Sequence, residues 1–150
     1  MAGDDREKFE VVPLAEDVLY VAVATDHPLS KKPSLSVADL RHETWAIEST
    51  WSTLGAFITD LCRSTGYEPR TNARCRGPET IEAIVASGCS VSIIPGLRVR
   101  RSPAGVAWVK LTPEVRRKIY VAYRRDERSL PTIKLFVEEI VRTASRLLGG

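Results

Sequence analysis

Hydroxyls are concentrated in one short stretch, Ser49, Thr50, Ser52 and Thr53, around Trp51 and just after a single carboxylate, Glu48. A solvent-facing loop would more often draw on Lys, Asp, Gly or Pro. Hydroxyls rotate to donate or accept, and before a helix they join its free backbone N–H groups and its partial positive charge. That combination suits a small anion such as a carboxylate, with Trp51 covering an apolar body. A second stretch, Arg76, Gly77, Pro78, Glu79 and Thr80, adds a full positive charge beside another helix start. Ser and Thr at such places commonly serve only as caps, and one of Thr50 or Ser52 is expected to do so. Glu48 and Glu79 would repel an anion, so they are expected to point away, bond a cap, or read a donor on the ligand.

Catalytic chemistry finds little support. His27 lies in a Pro-rich connection and His42 in a polar turn, neither with a carboxylate or Cys at a motif spacing. HExxH, GxSxG and P-loop patterns are absent, as is metal-ligand spacing, so no catalytic residue, metal or cofactor is expected. Cys75 stands between Arg74 and Arg76, which would favour a reactive thiolate if it were exposed. Cys62, Cys75 and Cys89 form no CxxC pair and read as reduced, mostly buried thiols.

These residues need elements to position them. Glu10 to Ala15 and Val18 to Ala24 read as two strands, and TDHPLSKKPS as an exposed connection. SVADLRH is a single helical turn and Trp45 to Ile47 a short strand. From Ser52 to Thr65, Leu54, Phe57, Ile58, Leu61 and Cys62 form one helical stripe, with Gly66 at the left-handed cap. Arg70 to Cys75 is a strand, Gly77-Pro78 opens a helix, and Ile81, Ile84 and Val85 form its stripe. Gly88 ends that helix and VSII (91–94) is a buried strand. Trp45 to Pro95 is therefore strand–helix–strand–helix–strand, the order that gives parallel strands. Ligands of such sheets bind beyond the strands' carboxyl ends, which puts Glu48 to Trp51, Arg76 to Thr80, and Pro95-Gly96 on one rim. The tail reads as strands Val106 to Leu111 and Lys118 to Tyr123, then a helix from Pro131 to Leu148.

Bulk properties are those of an ordinary globular protein: 150 residues, 43% hydrophobic and 27% charged. A net charge of +3 does not identify a nucleic-acid binder. The basic clusters Arg98/Arg100/Arg101, Arg116 to Lys118 and Arg124/Arg125 read as solvated faces. No apolar run is long enough to span a membrane, and MAGDDREKFE lacks the apolar core of a signal peptide. A cytoplasmic location is expected.

Beyond composition, TDHPLSKKPSLSVADLRHETWAI resembles the "DHPLA…P…ADL…PWI" segment of LysR-type transcriptional regulators. ETIEAIVASGCSVSIIPG is similar to their "VAAGLGVALLP" signature. AEDVLYVAVATDHPLS and KIYVAYRRDERSLPTIKLFVEEIVRTA fit the same template, so the resemblance covers nearly all of Phe9 to Leu148. It implies the effector-sensing half of such a regulator, an α/β fold of the periplasmic-binding-protein type II-like kind. Here that means one complete βαβαβ lobe plus a partial second lobe, with a ligand cleft between lobes. The mapping divides the chain into 1–24 (remnant of the first lobe and hinge strand), 25–101 (complete second lobe) and 102–150 (hinge return and C-terminal strand and helix). Family ligand contacts fall on Ser49 to Thr53, on Gly77 to Thr80 and near Pro95, the places the sheet argument also selects.

The resemblance further implies a small-molecule effector, an organic anion, whose binding closes the cleft and shifts subunits of an oligomer. DNA would be reached only through a helix-turn-helix domain absent from this chain. The opening strands of the first lobe have no counterpart either, so an uncovered apolar edge is expected to drive self-association. Cys75 and Cys89 do not reproduce the positions of the cysteine pair of peroxide-sensing members. A free-standing solute-binding module of the same fold and a thiol-based sensor or small enzyme using Cys75 are the alternatives.

Overall fold

The computed structural model describes residues 6–49, 52–101 and 103–148. In chain order the elements are β1 (Phe9–Ala24), β2 (Ser34–Leu35), β3 (Thr44–Glu48), α1 (Thr53–Ser64), β4 (Arg70–Cys75), α2 (Pro78–Ala86), β5 (Ser92–Pro95), α3 (Gly96–Val99), β6 (Val106–Leu111), β7 (Arg116–Arg124) and α4 (Pro131–Leu148). They divide into two compact units, Val18–Val115 and the pair Met1–Asp17 with Arg116–Gly150. The division falls at 17/18 and 115/116. The reason is hydrogen bonding: the later half of β1 is antiparallel to both β5 and β6, with Val21 opposite Ile93 and Val109. Those pairings tie the later half of β1, with β6, to the Val18–Val115 unit.

In that unit alternation decides the core. Trp45 and Ile47 of β3, Val21 and Val23 of β1 and Ile93 of β5 share one cluster with Ile58 and Cys62 of α1. Ala46, Ala22 and Ile94, one residue out of step, share another with Ile81 and Val85 of α2. Successive strand residues point to opposite faces, so both faces are covered by helices and residues 21–24 are buried without a break. β3 and β4 pair in parallel, with a bulge between Trp45 and Ala46. The expected third parallel partner meets β3 at one bridge, Trp45 to Val91, while β5 pairs antiparallel with β1. α1 follows the expected stripe except at Phe57, which is exposed at the stripe's edge. Gly66 caps α1 at φ 86°, where an L side chain would be strained.

The other unit is a ladder of β7 on the first half of β1, together with the 18-residue α4. The two strands expected at 10–15 and 18–24 are one continuous strand, β1. Pro13 is accommodated because this half of β1 has β7 as its neighbour among the described pairings, leaving a side where a missing N–H breaks no ladder bond. Asp17 is buried and held by Arg117 at 2.9 Å.

Candidate ligand-binding rim

The carboxyl ends of β3 and β4 are joined by the amide of Ser49, which donates to the carbonyl of Cys75 at 2.9 Å. After β3 the chain turns tightly, the Ser52 amide donating to the Ser49 carbonyl at 2.8 Å. Ser52 is the N-cap of α1, in the extended conformation such a cap needs, and its Oγ accepts from the Gly55 amide at 3.4 Å. The same hydroxyl donates to the Glu48 carboxylate. Both Ser52 and Glu48 thus serve the turn, and the expected capping duty falls on Ser52. Ser49 is half-buried and Thr53 exposed. Thr50 and Trp51 lie outside the described residues.

Gly55 is a residue that the periodicity did not single out. A Cβ there would stand 2.6 Å from the Glu48 carbonyl oxygen and 2.9 Å from that of Ser49. The first turn of α1 therefore lies directly on the strand-end loop, and only glycine permits it. A glycine in the first turn of an amphipathic helix was the available signal.

The second part of the rim is the start of α2. Gly77 is its N-cap, without a side-chain cap, and Pro78 takes the first helical position. Arg76 and Thr80 are exposed, and Pro95 is buried where β5 passes into α3. The Glu79 side chain is 72% exposed and pairs with Nη1 of Arg98 at 3.1 Å. Arg98 also grips Glu82, its Nε and Nη2 each donating to one carboxylate oxygen at 3.0 Å. Glu82 is buried, and its hydrogen bonds, with its charge and that of Glu79, hold the Arg98 guanidinium above the ordinary arginine range against the opposing effect of desolvation.

Arg98, expected on a solvated face with Arg100 and Arg101, is instead paired with Glu82 and Glu79. Glu82 and Arg98 are 16 residues apart, so no local motif announces their pairing. The hint was Glu82 itself, a carboxylate inside the apolar stripe of Ile81 and Val85. The sequence thus placed Ser49, Ser52, Thr53, Arg76, Gly77, Glu79, Thr80 and Pro95 at strand ends and helix starts. The structure joins the first two strand ends directly and adds Gly55, Glu82 and Arg98.

The three thiols differ in exposure. Cys75 is 7% exposed despite its arginine neighbours, Cys62 is fully buried, and Cys89 is exposed. Burial, ahead of any other cause, pushes the Cys62 thiol up from its ordinary value. His27 has a partner that its sequence context did not reveal: Nε2 lies 3.3 Å from Glu43, while Nδ1 accepts from the Leu29 amide at 3.1 Å. Among the described residues no group of His, Cys, Asp and Glu is arranged to hold a metal, and no helix is long and apolar enough to cross a membrane.

Comparison with known proteins gives this architecture its place. The effector binding domain of QuiR in complex with shikimate superposes at a TM-score of 0.81 and 22% identity, over 97% of this chain and 69% of that one. The regulatory domain of Synechocystis PCC6803 CcmR in complex with 2-PG gives 0.84 at 17% identity, over 93% and 69%. A βαβαβ unit with its helix starts gathered at one rim, on the fold of these domains, defines a periplasmic-binding-protein type II-like α/β protein.

Residues 2–145 match the family model of the LysR substrate binding domain. The chain belongs to that family. Among curated relatives, the DNA-binding transcriptional dual regulator OxyR of Escherichia coli (strain K12) is 29% identical over 123 residues, 80% of this chain and 40% of that protein. The transcriptional dual regulator GltC of Bacillus subtilis (strain 168) is 21% identical over 136 residues, 89% and 45%. The chain spans less than half the length of either relative.

Proposed function

We propose that this chain is the effector-sensing part of a LysR-type transcriptional regulator. It binds a small organic anion at the rim of the Val18–Val115 unit, where Ser49 to Thr53, Arg76, Gly77, Glu79, Thr80 and Pro95 are the candidate residues. The observation that carries this reading is the direct junction of the β3 and β4 ends, Ser49 to Cys75, which brings two helix starts to one edge. Family membership supports it, and so do the bound small molecules of QuiR and CcmR. In this reading DNA is contacted by a helix-turn-helix segment outside the sequence, the protein works in the cytoplasm, and copies associate through exposed apolar side chains.

Regulation is favoured over a free-standing solute-binding module by the curated relatives, which are named as transcriptional regulators. The burial of Cys75 weighs against a thiol sensor. The test is amide NMR of the chain titrated with shikimate, 2-PG, benzoate and citrate. An acid of the right class moves the resonances of Ser49 to Gly55 and Gly77 to Ile81 together, with little change elsewhere. If none of the four moves them, the anion reading fails.

A further inference from the structure

Arg98 has two carboxylate partners of opposite character. The Glu82 side chain is 5% exposed, and both its oxygens are engaged by Nε and Nη2 at 3.0 Å. A buried carboxylate cannot leave a guanidinium without giving up its counter-charge in a low-dielectric surrounding, so this partner stays in place. Glu79 is 72% exposed and touches Arg98 through one oxygen, at Nη1. When it swings away it is solvated at once, so little holds it in place. The guanidinium is planar and its donors are fixed in a fork, so gripping Glu82 also fixes where Nη1 points.

The position of Glu79 matters as much as its exposure. Its second oxygen lies 3.3 Å from where a Cβ on Gly77 would stand, so the carboxylate occupies the space beside the β4–α2 turn. A carboxylate of the chain itself therefore stands at the rim, in contact with a cation that the fold has oriented. We infer that Glu79 is an internal competitor for the effector: a carboxylate of the ligand displaces Glu79 from Nη1 of Arg98, and Arg98, aimed by Glu82, reads the anion.

This rests on the rim reading and accounts for an acidic residue in a site for anions. With Glu79 in place the trio carries one net negative charge and turns anions away. With Glu79 displaced, Arg98 offers one free donor edge. A ligand carboxylate has the same geometry as the group it replaces, whereas a phosphate would bring added charge toward Glu82. A carboxylate is therefore the preferred occupant.

The experiment uses the chain with sodium acetate as the minimal carboxylate, inorganic phosphate as the competing oxyanion and sodium chloride at matched ionic strength as control. The readouts are the Arg98 Nε–H resonance and the amides of Ser49 to Gly55 and Gly77 to Ile81. Acetate should shift Arg98 and the Gly77 region together. Glu79→Gln should lower the half-saturating acetate concentration about fivefold, because it removes a competitor that leaves only a fraction of the molecules open. Phosphate should need a higher concentration than acetate in both proteins.

If acetate moves the rim amides but not Arg98, or if Glu79→Gln leaves half-saturation unchanged, the competitor role is overturned while the rim reading stands. Phosphate binding ahead of acetate overturns the preference for a carboxylate. If acetate moves neither Arg98 nor the rim amides, the inference falls, and failure of shikimate, 2-PG, benzoate and citrate as well would remove the rim reading with it. Substitution of Arg98 is avoided because it would leave Glu82 buried and unpaired.

Discussion

The two compact units of this chain differ in how they keep apolar surface from water. In the Val18–Val115 unit Trp45, Ile47, Ile58, Val85 and Val91 are at most 1% exposed, and helices cover both faces of the strands. In the unit built from Met1–Asp17 and Arg116–Gly150, Leu135 is 66% and Phe136 60% exposed, and α4 buries Ala144 alone. Among the exposed large apolar side chains of the described residues, only Phe57 lies in the first unit. A two-stranded ladder has one face to offer a helix and an open edge, and rarely stands alone in water. Stability should therefore reside in one unit and the tendency to associate in the other.

The largest expected effect tests that division. Trp45 is wholly buried, and its indole N–H has no hydrogen-bond partner among the described residues, so its contribution is packing. Trp45→Ala should cost about 3–5 kcal/mol in urea unfolding. The double change Leu135→Gln with Phe136→Gln, which keeps good helix formers on α4, should alter stability by no more than about 0.5 kcal/mol. The same double variant should sediment as a smaller species than the parent at matched concentration. Equal costs for the two variants would erase the distinction between the units.

A middle-sized effect is expected at the rim. Gly55→Ala normally strengthens a helix, yet here the added methyl would lie 2.6 Å from the Glu48 carbonyl oxygen, a backbone atom that cannot swing aside. The strand-end loop or α1 must shift, at about 1–3 kcal/mol. If Gly55→Ala is instead stabilising, α1 does not rest on that loop, and the rim is looser than its geometry implies. A well-packed unit should resist one added methyl more than a loosely packed one.

How far these properties could be read beforehand follows from their range along the chain. β3, α1, β4, α2 and β5 were legible because the period changes from 2 to 3.6 and back at Gly66, Pro78 and Gly88. α4 was legible to the residue because an 18-residue stripe leaves little freedom. The continuity of β1 was hidden by Pro13, Glu16 and Asp17, polar or breaking residues that a two-stranded ladder tolerates. Sheet order was legible only in part: the parallel approach of the third strand to β3 holds at the Trp45–Val91 bridge, whereas the antiparallel union of β5 with β1 depends on residues about 70 positions away. The hydroxyl-rich loop was visible as a site candidate, whereas Arg98, Glu82 and Gly55 matter through contacts that no local pattern encodes.

The smallest effect concerns the acid limb of stability. Ser36 and Asp39 form a capping box in the Val18–Val115 unit: the Ser36 amide donates to Oδ2 of Asp39 at 2.7 Å, and the Ser36 hydroxyl accepts from the Asp39 amide. The hydrogen bond from the Ser36 backbone, then that from its side chain, lowers the Asp39 carboxyl below its ordinary 3.8. A carboxyl depressed in the folded state contributes stability that is complete above the unfolded value and is lost as pH falls through the folded one. The loss from this group therefore begins near 3.8 and continues below it. Asp39→Asn should cost about 0.5 kcal/mol at neutral pH, the capping value reduced for a carboxylate in contact with water. Below that carboxyl's range the cost should vanish, so the curves of the parent and the variant converge at low pH. Curves that stay parallel would mean that the box is not formed by a charged Asp39, and that even the turns of the better-packed unit are held by burial alone.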